Sequence, residues 1–405
     1  MSFDTAAVRA EFPILDPEVS GRPVHYLDNG ATAQVPGAVL QAMADHETRA
    51  RANVHRSVHH LAEAATRAYE GARDRVAAFL NAAREEVIFT SGTTAAINLV
   101  AHSFGQRLQP GDEVLVSVLE HHSNIVPWQL LRDRAGIVLR ALPATADGRL
   151  DLDRLDDLVT PRTRLIALTH ASNVTGAVTD VARVVAAARA VGAEVLLDGA
   201  QMAPHGPLDV AALGVGFYAF SGHKMYGPNG IGVLWGRADL LAGMPPFMGG
   251  GEMITHVSLD HTDYAKPPMR FEAGTPPIAP AVGLGATADW LAGQDWAAAE
   301  AHMRNLGGLL ADGLNALPRV QVIGPAGSQA RLPVVSFTVQ GLHPHDVAQI
   351  LDSHHVAVRG GHHCAQPYMD SLDIAGTTRA VIALYNTRAD VEALLTGLDK
   401  VLRLL

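Results

Sequence analysis

Residues able to supply amine or thiol chemistry are scarce in this chain: among 405 residues there are three lysines, Lys224, Lys266 and Lys400, and one cysteine, Cys364. A step that needs a primary amine has three candidates, and a step that needs a thiol has one. Lys224 sits in FSGHKMYGPNGIGVLWG (220–236), directly after a β-rich run, flanked by Ser221 and His223 and followed by a glycine-rich turn into another strand. That position presents an amine at a strand end, where it can serve as a nucleophile. The alternative for any one lysine is a solvated surface residue. Cys364 lies in VRGGHHCAQP (358–367), where glycines allow close backbone approach and neighbouring cations favour the thiolate. A lone cysteine is more often a small buried hydrophobe, but a polar, glycine-rich loop is the wrong neighbourhood for one. His362, His363 and Cys364 make a poor zinc site, because consecutive residues do not easily converge on one metal.

Three further segments carry polar groups at strand ends. In SGTTAAINL (91–99) a strand turns through Gly92 into a helix starting near Thr93. Free backbone N–H groups and the helix dipole make such a turn an anion site, with Thr93 and Thr94 hydroxyls to complete it; helix capping alone would also explain these residues. LLDGAQ (196–201) puts Asp198 at the C-terminal end of a buried-looking strand. There a carboxylate can pair with a protonated aromatic ring nitrogen, and Gln201 can meet a phenolic oxygen on the same ring, although Asp also begins turns after strands. LEHHSNIVPW (119–128) places His121 and His122 at a third strand-to-helix junction. One imidazole there can stack on a planar ligand. The other use is a structural or metal-binding pair, but adjacent histidines point in different directions and suit a shared metal less well.

The elements that must position these groups follow from the apolar pattern. Seven β-rich runs, VIFT (87–90), EVLVSV (113–118), IVLRAL (137–142), RLIALTH (164–170), EVLLD (194–198), GFYAFS (216–221) and GIGVLWG (230–236), are interleaved with helical candidates such as Thr93–Phe104, Ile125–Ala135 and Val181–Val191. This alternation predicts an α/β fold with a mostly parallel seven-stranded sheet covered by helices. After about residue 285 a helical stretch (Ala286–Leu317) leads to VQVIG, LPVVSFTV, a helix from His345 to His354, HVAVRGG and a terminal helix from about Arg388 to Leu405, which reads as a smaller α+β domain. We expect a large domain over residues 20–285 and a small one from 1–19 with 286–405, carrying the cysteine loop. The Gly/Pro-rich stretches 244–253 and 266–277 lack periodicity and read as active-site loops and a domain connection.

Composition narrows the function classes. Apolar residues make up 48% and charged residues 18%, an ordinary globular balance. The net charge of −10 and the absence of a Lys/Arg block argue against a nucleic-acid surface. The apolar stretches are far shorter than the roughly 20 residues that span a bilayer. A single cysteine makes no internal disulfide, and MSFDTAAVRAEF lacks a basic region followed by an apolar run, so the expected location is the cytoplasm.

Taken together, FPIL (12–15), YLDNGATAQVP (26–36), VHRSVH (54–59), TSGTTAAINLV (90–100), EHHSNIVPWQ (120–129), THASNVTG (169–176), DGAQ (198–201), FSGHKMYGP (220–228), RFEAGTP (270–276), RGGHHCAQP (359–367) and LYNT (384–387) resemble the class V aminotransferase group of fold-type I pyridoxal 5'-phosphate enzymes, most closely the SufS-type cysteine desulfurases. The similarity runs nearly end to end. It implies that Lys224 is the Schiff-base lysine, Asp198 the partner of the pyridinium nitrogen, Gln201 the partner of the phenolate and His121 the stacking imidazole. Thr93, Thr94, Ser221 and His223 would hold the phosphate. The family's Gly-Thr pair that reaches into the neighbouring subunit's site matches Gly274–Thr275, which implies a homodimer. Arg379 would grip the substrate carboxylate, with Asn173, His55 and Arg359 lining the same pocket.

The implied reaction converts L-cysteine to alanine, with Lys224 as base at Cα, His121 placed to assist proton transfers, and Cys364 taking the sulfur as a persulfide for iron–sulfur cluster assembly. The short path from Arg359 to Cys364 resembles the SufS-like members, whose sulfur release depends on an acceptor protein of SufU or SufE type. In HPHDVAQILD (343–352), His345 matches the histidine that contacts the zinc of a SufU-type acceptor; a plain N-terminal helix histidine is the alternative. Selenocysteine lyase and cysteine sulfinate desulfinase share these motifs. From other classes, a silent partner-binding scaffold is weighed against by the intact Lys224–Asp198–Cys364 set, and a His/Cys metal protein would be colourless and carry zinc. The chain departs from the family pattern at Gly30 and Thr32, where Ala and Ser are frequent, and at Gly360, more often Ala or Thr.

Overall fold

The computed structural model describes residues 3–327 and 331–402. All seven expected runs form strands of one sheet: β1 Val87–Thr90, β2 Glu113–Ser117, β3 Val138–Leu142, β4 Thr163–Thr169, β5 Glu194–Asp198, β6 Phe217–Ser221 and β7 Gly232–Gly236. Their order across the sheet is β1-β7-β6-β5-β4-β2-β3. Strands β2 to β6 run parallel, and β7 is antiparallel to both of its neighbours. β2, β6 and β7 are buried along their whole length, which is why they read as continuous apolar runs rather than as alternating ones. The edge strand β3 is largely solvent-facing and carries Arg140, which pairs with the buried Glu113 at 2.8 Å.

Helices Thr93–Ser103, Val126–Ala135 and Val181–Val191 flank this sheet. Val181–Val191 shows why its limits were readable: the Asp180 side chain accepts from Arg183 N at its start, and Gly192 closes it in the left-handed conformation. The periodic stretch expected from Ala286 to Leu317 is two helices, Ile278–Ala292 and Trp296–Asn315. Asp295 divides them by capping the second, accepting from Ala298 N at 3.1 Å. The aperiodic region also holds an exposed hairpin, Ile254–Val257 with Thr262–Tyr264, that the apolar pattern did not suggest. Among the described residues no helix is long and apolar enough to cross a membrane.

The C-terminal part builds a second, antiparallel sheet from β8 Val320–Ile323, β9 Val334–Val339, β10 Arg359–Gly361 and β11 Thr377–Val381, in the order β8-β9-β11-β10. The last helix is Arg388–Leu402; residues 403–405 of the expected span lie outside the described residues. Two features bring this sheet to the site. The N-terminal segment His25–Tyr26 pairs in parallel with Val356–Ala357, and Asp28 bridges Val381, so residues 28–30 lie beside β11. Gly360 lets the helix Pro344–Asp352 start against β10: a Cβ there would stand 2.4 Å from Pro344 O, so this departure from the family pattern serves a close backbone contact.

Candidate active site

The C-terminal ends of β4, β5 and β6 and the first turn of helix Thr93–Ser103 open onto one cavity of about 220 Å³. Open parallel sheets place ligands at this end of their strands. Thr93, Thr94, His121, Asn173, Asp198, Gln201, Ser221, His223, Lys224, Arg359 and Arg379 all line it, so eleven residues expected from the sequence share one wall.

At one end, helix Thr93–Ser103 begins at Gly92 without a side-chain cap. Thr93 N–H donates to Ser221 Oγ at 2.8 Å, and the two hydroxyls meet at 2.7 Å, which leaves the next backbone N–H groups facing an anion position. This end of the fold needs glycine: a Cβ on Gly232 would lie 2.5 Å from Gly92 Cα. His223 is tied to Thr32 through Nδ1 at 3.3 Å, and burial pulls its pKa down to about 4, so its ring is neutral. Thr32 keeps the hydroxyl that the family's Ser would bring.

Mid-cavity, Asp198 is buried at the end of β5 and accepts from Ala200 N at 3.0 Å. Burial raises its pKa, opposed by that bond and by Lys224. A buried carboxylate of this kind is stabilised by a protonated ring nitrogen. Gln201 donates one amide N–H to Gly30 O at 3.0 Å and keeps its second for a ligand. His121 accepts from Ser123 N at 3.1 Å and meets Ser123 Oγ at 2.8 Å through Nδ1, which assigns the proton to Nε2. Burial, then Lys224, brings its pKa down to about 3, so the face it offers is a neutral imidazole.

Lys224 follows β6 in the short turn Gly222–Lys224. Burial lowers its pKa to about 8, with Asp198 opposing and Arg379 and Arg359 assisting. Pyridoxal phosphate fits this set: an uncapped helix start with hydroxyls for its phosphate, a buried carboxylate for its ring nitrogen, a neutral ring to stack on, and an amine of lowered basicity. Because only the neutral amine attacks the aldehyde, uptake of pyridoxal phosphate by the apoprotein should speed up as pH rises to about 8 and level off above it. Stopped-flow absorbance across pH 6 to 10 reads this (~0.5-unit steps suffice); a rate still climbing towards the ordinary lysine range would contradict it.

At the far end, Arg379 on β11 is buried and donates from Nη1 to Asn173 O at 2.9 Å. Its Nη2 stands 3.6 Å from Asp28 Oδ1, and Nε and Nη2 have no hydrogen-bond partner in the described structure. Burial pulls its pKa down to about 10, with Asp28 resisting, so it remains a cation. A buried guanidinium with an unused N–H edge suits a carboxylate ligand. Gly30 packs on the same group, where a Cβ would come within 3.0 Å of the guanidinium carbon.

Five expected residues, Cys364, His55, Gly274, Thr275 and His345, lie off this wall. Cys364 is half-buried in the loop after β10, close to both Lys224 and Arg379. His55, expected beside Asn173 and Arg359, does not line the cavity of its own chain: its left-handed backbone turns the ring to Glu70 Oε1 at 2.9 Å and edge-on to Tyr69. Thr275 lines a separate, mostly apolar pocket with Phe247, Met248 and Phe271. His345 is exposed in the first turn of helix Pro344–Asp352, close to Gly361. Sequence reading missed Asp28, Gly30, His363 and Glu120. His363 is buried on the cavity wall with Nε2 on Thr377 and Nδ1 unpartnered. Glu120, the residue before His121, is a fully buried carboxyl pushed up to about 8 by burial against bonds from Ser117 and Asn124. The signal for Glu120 and His363 was adjacency to His121 and Cys364, and that for Asp28 and Gly30 was their place in YLDNGATAQVP.

The model of the family Aminotransferase class-V matches residues 25–394. A probable cysteine desulfurase of Streptomyces coelicolor is 49% identical over 98% of this chain and 97% of its own. The Escherichia coli cysteine desulfurase CsdA, in an S-sulfonic acid form, superposes with a TM-score of 0.92 at 42% identity, covering 100% of both chains. A C-DES variant with glycine covalently linked to its PLP cofactor superposes with a TM-score of 0.82 at 26% identity, over 96% of this chain and 98% of that one. With a family match that spans most of its length and a cavity built for pyridoxal phosphate, this chain belongs to the class V aminotransferase family.

Proposed function

We propose that the protein is a cysteine desulfurase of the SufS type, which takes sulfur from L-cysteine onto Cys364 and passes it on for iron–sulfur cluster assembly in the cytoplasm. The observation that carries the reading is the chain's single thiol, held half-buried next to a cavity that contains an amine of lowered pKa and a buried arginine with unused donors. The chain reads as two domains, 20–285 and 1–19 with 286–405, with the thiol loop on the smaller.

Bound pyridoxal phosphate supplies an electron sink for the pair released at the substrate Cα. Arg379 holds the substrate carboxylate through Nε and Nη2, and Asp198 keeps a proton at the ring nitrogen. Lys224 Nζ takes the proton from Cα. Cys364 Sγ, as thiolate, attacks the substrate sulfur: the S–S bond forms, the substrate Cβ–S bond breaks, and its electron pair stays on carbon to be protonated as alanine. A neutral His121, with its proton on Nε2, can donate a hydrogen bond to the reacting groups during these transfers.

His55 and Gly274–Thr275 lie outside the cavity of their own chain, and a homodimer in which they serve the neighbouring site accounts for this. His345, exposed and near Gly361, supports docking of a SufU-type acceptor beside the thiol loop. His345→Ala should leave reductant-driven alanine formation within about twofold while stimulation by the acceptor falls about tenfold. Parallel assays with and without the acceptor check this; equal losses in both would argue against it. The reading as a whole is tested by incubation with L-cysteine and intact-mass analysis: one added sulfur on wild type supports it, and unmodified protein alongside alanine release overturns it.

A further inference from the structure

The loop that carries the thiol is conformationally costly. His363 and Cys364 are consecutive non-glycine residues in the left-handed region, with φ of 53° and 56°. Such conformations persist only where the surroundings over-determine them. On one side the loop is held by Asn173 Nδ2, which donates to His363 O at 2.7 Å, and by His363 Nε2 on Thr377 O at 3.0 Å. On the other side a single residue does the holding. His122 N–H donates to Cys364 O at 2.7 Å, and Gln366 N–H donates to His122 Nε2 at 3.3 Å. The His122 ring also lies 5.6 Å from that of His362, whose Nδ1 accepts from Cys364 N at 3.1 Å.

We infer that His122 is a positioning residue for the Cys364 thiol, clamping the loop at the cysteine and just after it and registering it against the neighbouring His121 on the cavity wall. The main-chain bond survives any substitution except proline; the ring bond does not, so the side chain has a separable part. Only a neutral ring can accept at Nε2. Burial and then His362 hold the His122 pKa down, which keeps that acceptor available. The inference rests on the reading of Cys364 as sulfur acceptor for its catalytic consequence, but the placement of the thiol can be measured without it.

Because Cys364 is the only cysteine, its alkylation is read directly by intact mass. In holoenzyme carrying His122→Ala, the iodoacetamide rate constant should rise about fivefold as the loop is released. The kcat for alanine formation should fall about tenfold while KM for L-cysteine changes less than about twofold, as expected for a displaced nucleophile rather than a lost substrate contact. His122→Gln, whose Oε1 can take the place of Nε2, should bring both quantities back to within about twofold of wild type. His122→Phe keeps the ring packing without the acceptor and should behave as the Ala variant does, which covers the case in which Ala folds poorly. Unchanged alkylation in both acceptor-free variants, or failure of Gln to restore it, overturns the inference. If wild type acquires no sulfur from L-cysteine, the sulfur-acceptor reading fails while the alkylation comparison still decides the clamp.

Discussion

Cys364→Ala is expected to reduce alanine formation from L-cysteine by about a thousandfold or more, the scale seen when a catalytic nucleophile is removed. No second thiol exists to substitute for it. The change keeps a Cβ, so the left-handed backbone of residues 363 and 364 faces the same steric demand as before. The cavity residues are untouched, because Cys364 lies beside the wall and not on it. Cysteine sulfinate, whose Cβ–S bond breaks to release sulfur dioxide, hydrated to sulfite, without a nucleophile at sulfur, should therefore still be turned over. Alanine and sulfite assays on one preparation separate the two: retention of cysteine turnover would remove the thiol from the mechanism, and loss of both activities would point to a damaged cofactor site.

Arg73→Met should cost about 3–5 kcal/mol of unfolding free energy, the penalty for stranding one member of a buried ion pair. Arg73 is 1% exposed. Its Nη1 and Nη2 grip Glu272 at 2.7 and 2.8 Å, Nη1 also donates to Val87 O at 2.8 Å, and the guanidinium lies 4.7 Å over the Phe89 ring. Glu272 in turn accepts from Phe89 N at 2.7 Å and Tyr69 OH at 2.9 Å. The pair thus fastens helix His60–Phe79 and β1 to the segment that leads into Gly274–Thr275. Removing the arginine leaves Glu272 buried and uncompensated. The double change Arg73→Met with Glu272→Met should recover most of the loss. Urea unfolding of the three proteins measures it, and a loss below about 1 kcal/mol for the single variant would contradict the argument. The same cluster gives a sign for acid: burial pushes Glu70 up, but the bonds from His55 and Arg73 outweigh it and bring its pKa to about 2. Its contribution is complete above the unfolded carboxylate range and is lost as pH falls towards about 2.

Six of the seven main-sheet strands were legible because they are buried along most of their length, so their apolar runs are nearly continuous; the edge strand β3 is largely solvent-facing and was marked only by Ile137, Val138 and Leu139. The hairpin 254–264 was not legible, since its strands are mostly exposed and nothing apolar marks them. The two helices 278–292 and 296–315 merged into one because apolar periodicity continues across the break, and only Asp295 acting as a cap divides them.

Nine of the eleven expected residues on this wall stand at or just beyond a strand end or helix start, and the parallel sheet directs those ends to one side, while Arg359 and Arg379 come from β10 and β11 of the antiparallel sheet. The exceptions belong to segments whose path depends on packing. Asp28 reaches Arg379 only because residues 25–28 pair with the C-terminal part of the chain.

By itself the sequence determined the set of chemically able groups: one thiol, Lys224 after β6, Asp198 at the end of β5 and hydroxyls at a helix start, each specified by local pattern and turn chemistry. The tertiary structure alone decided which of them are desolvated and which remain without partners. Lys224 is brought to about 8, Arg379 keeps two unused donors, and Cys364 is clamped by His122, because residues far apart in the chain converge there and exclude water.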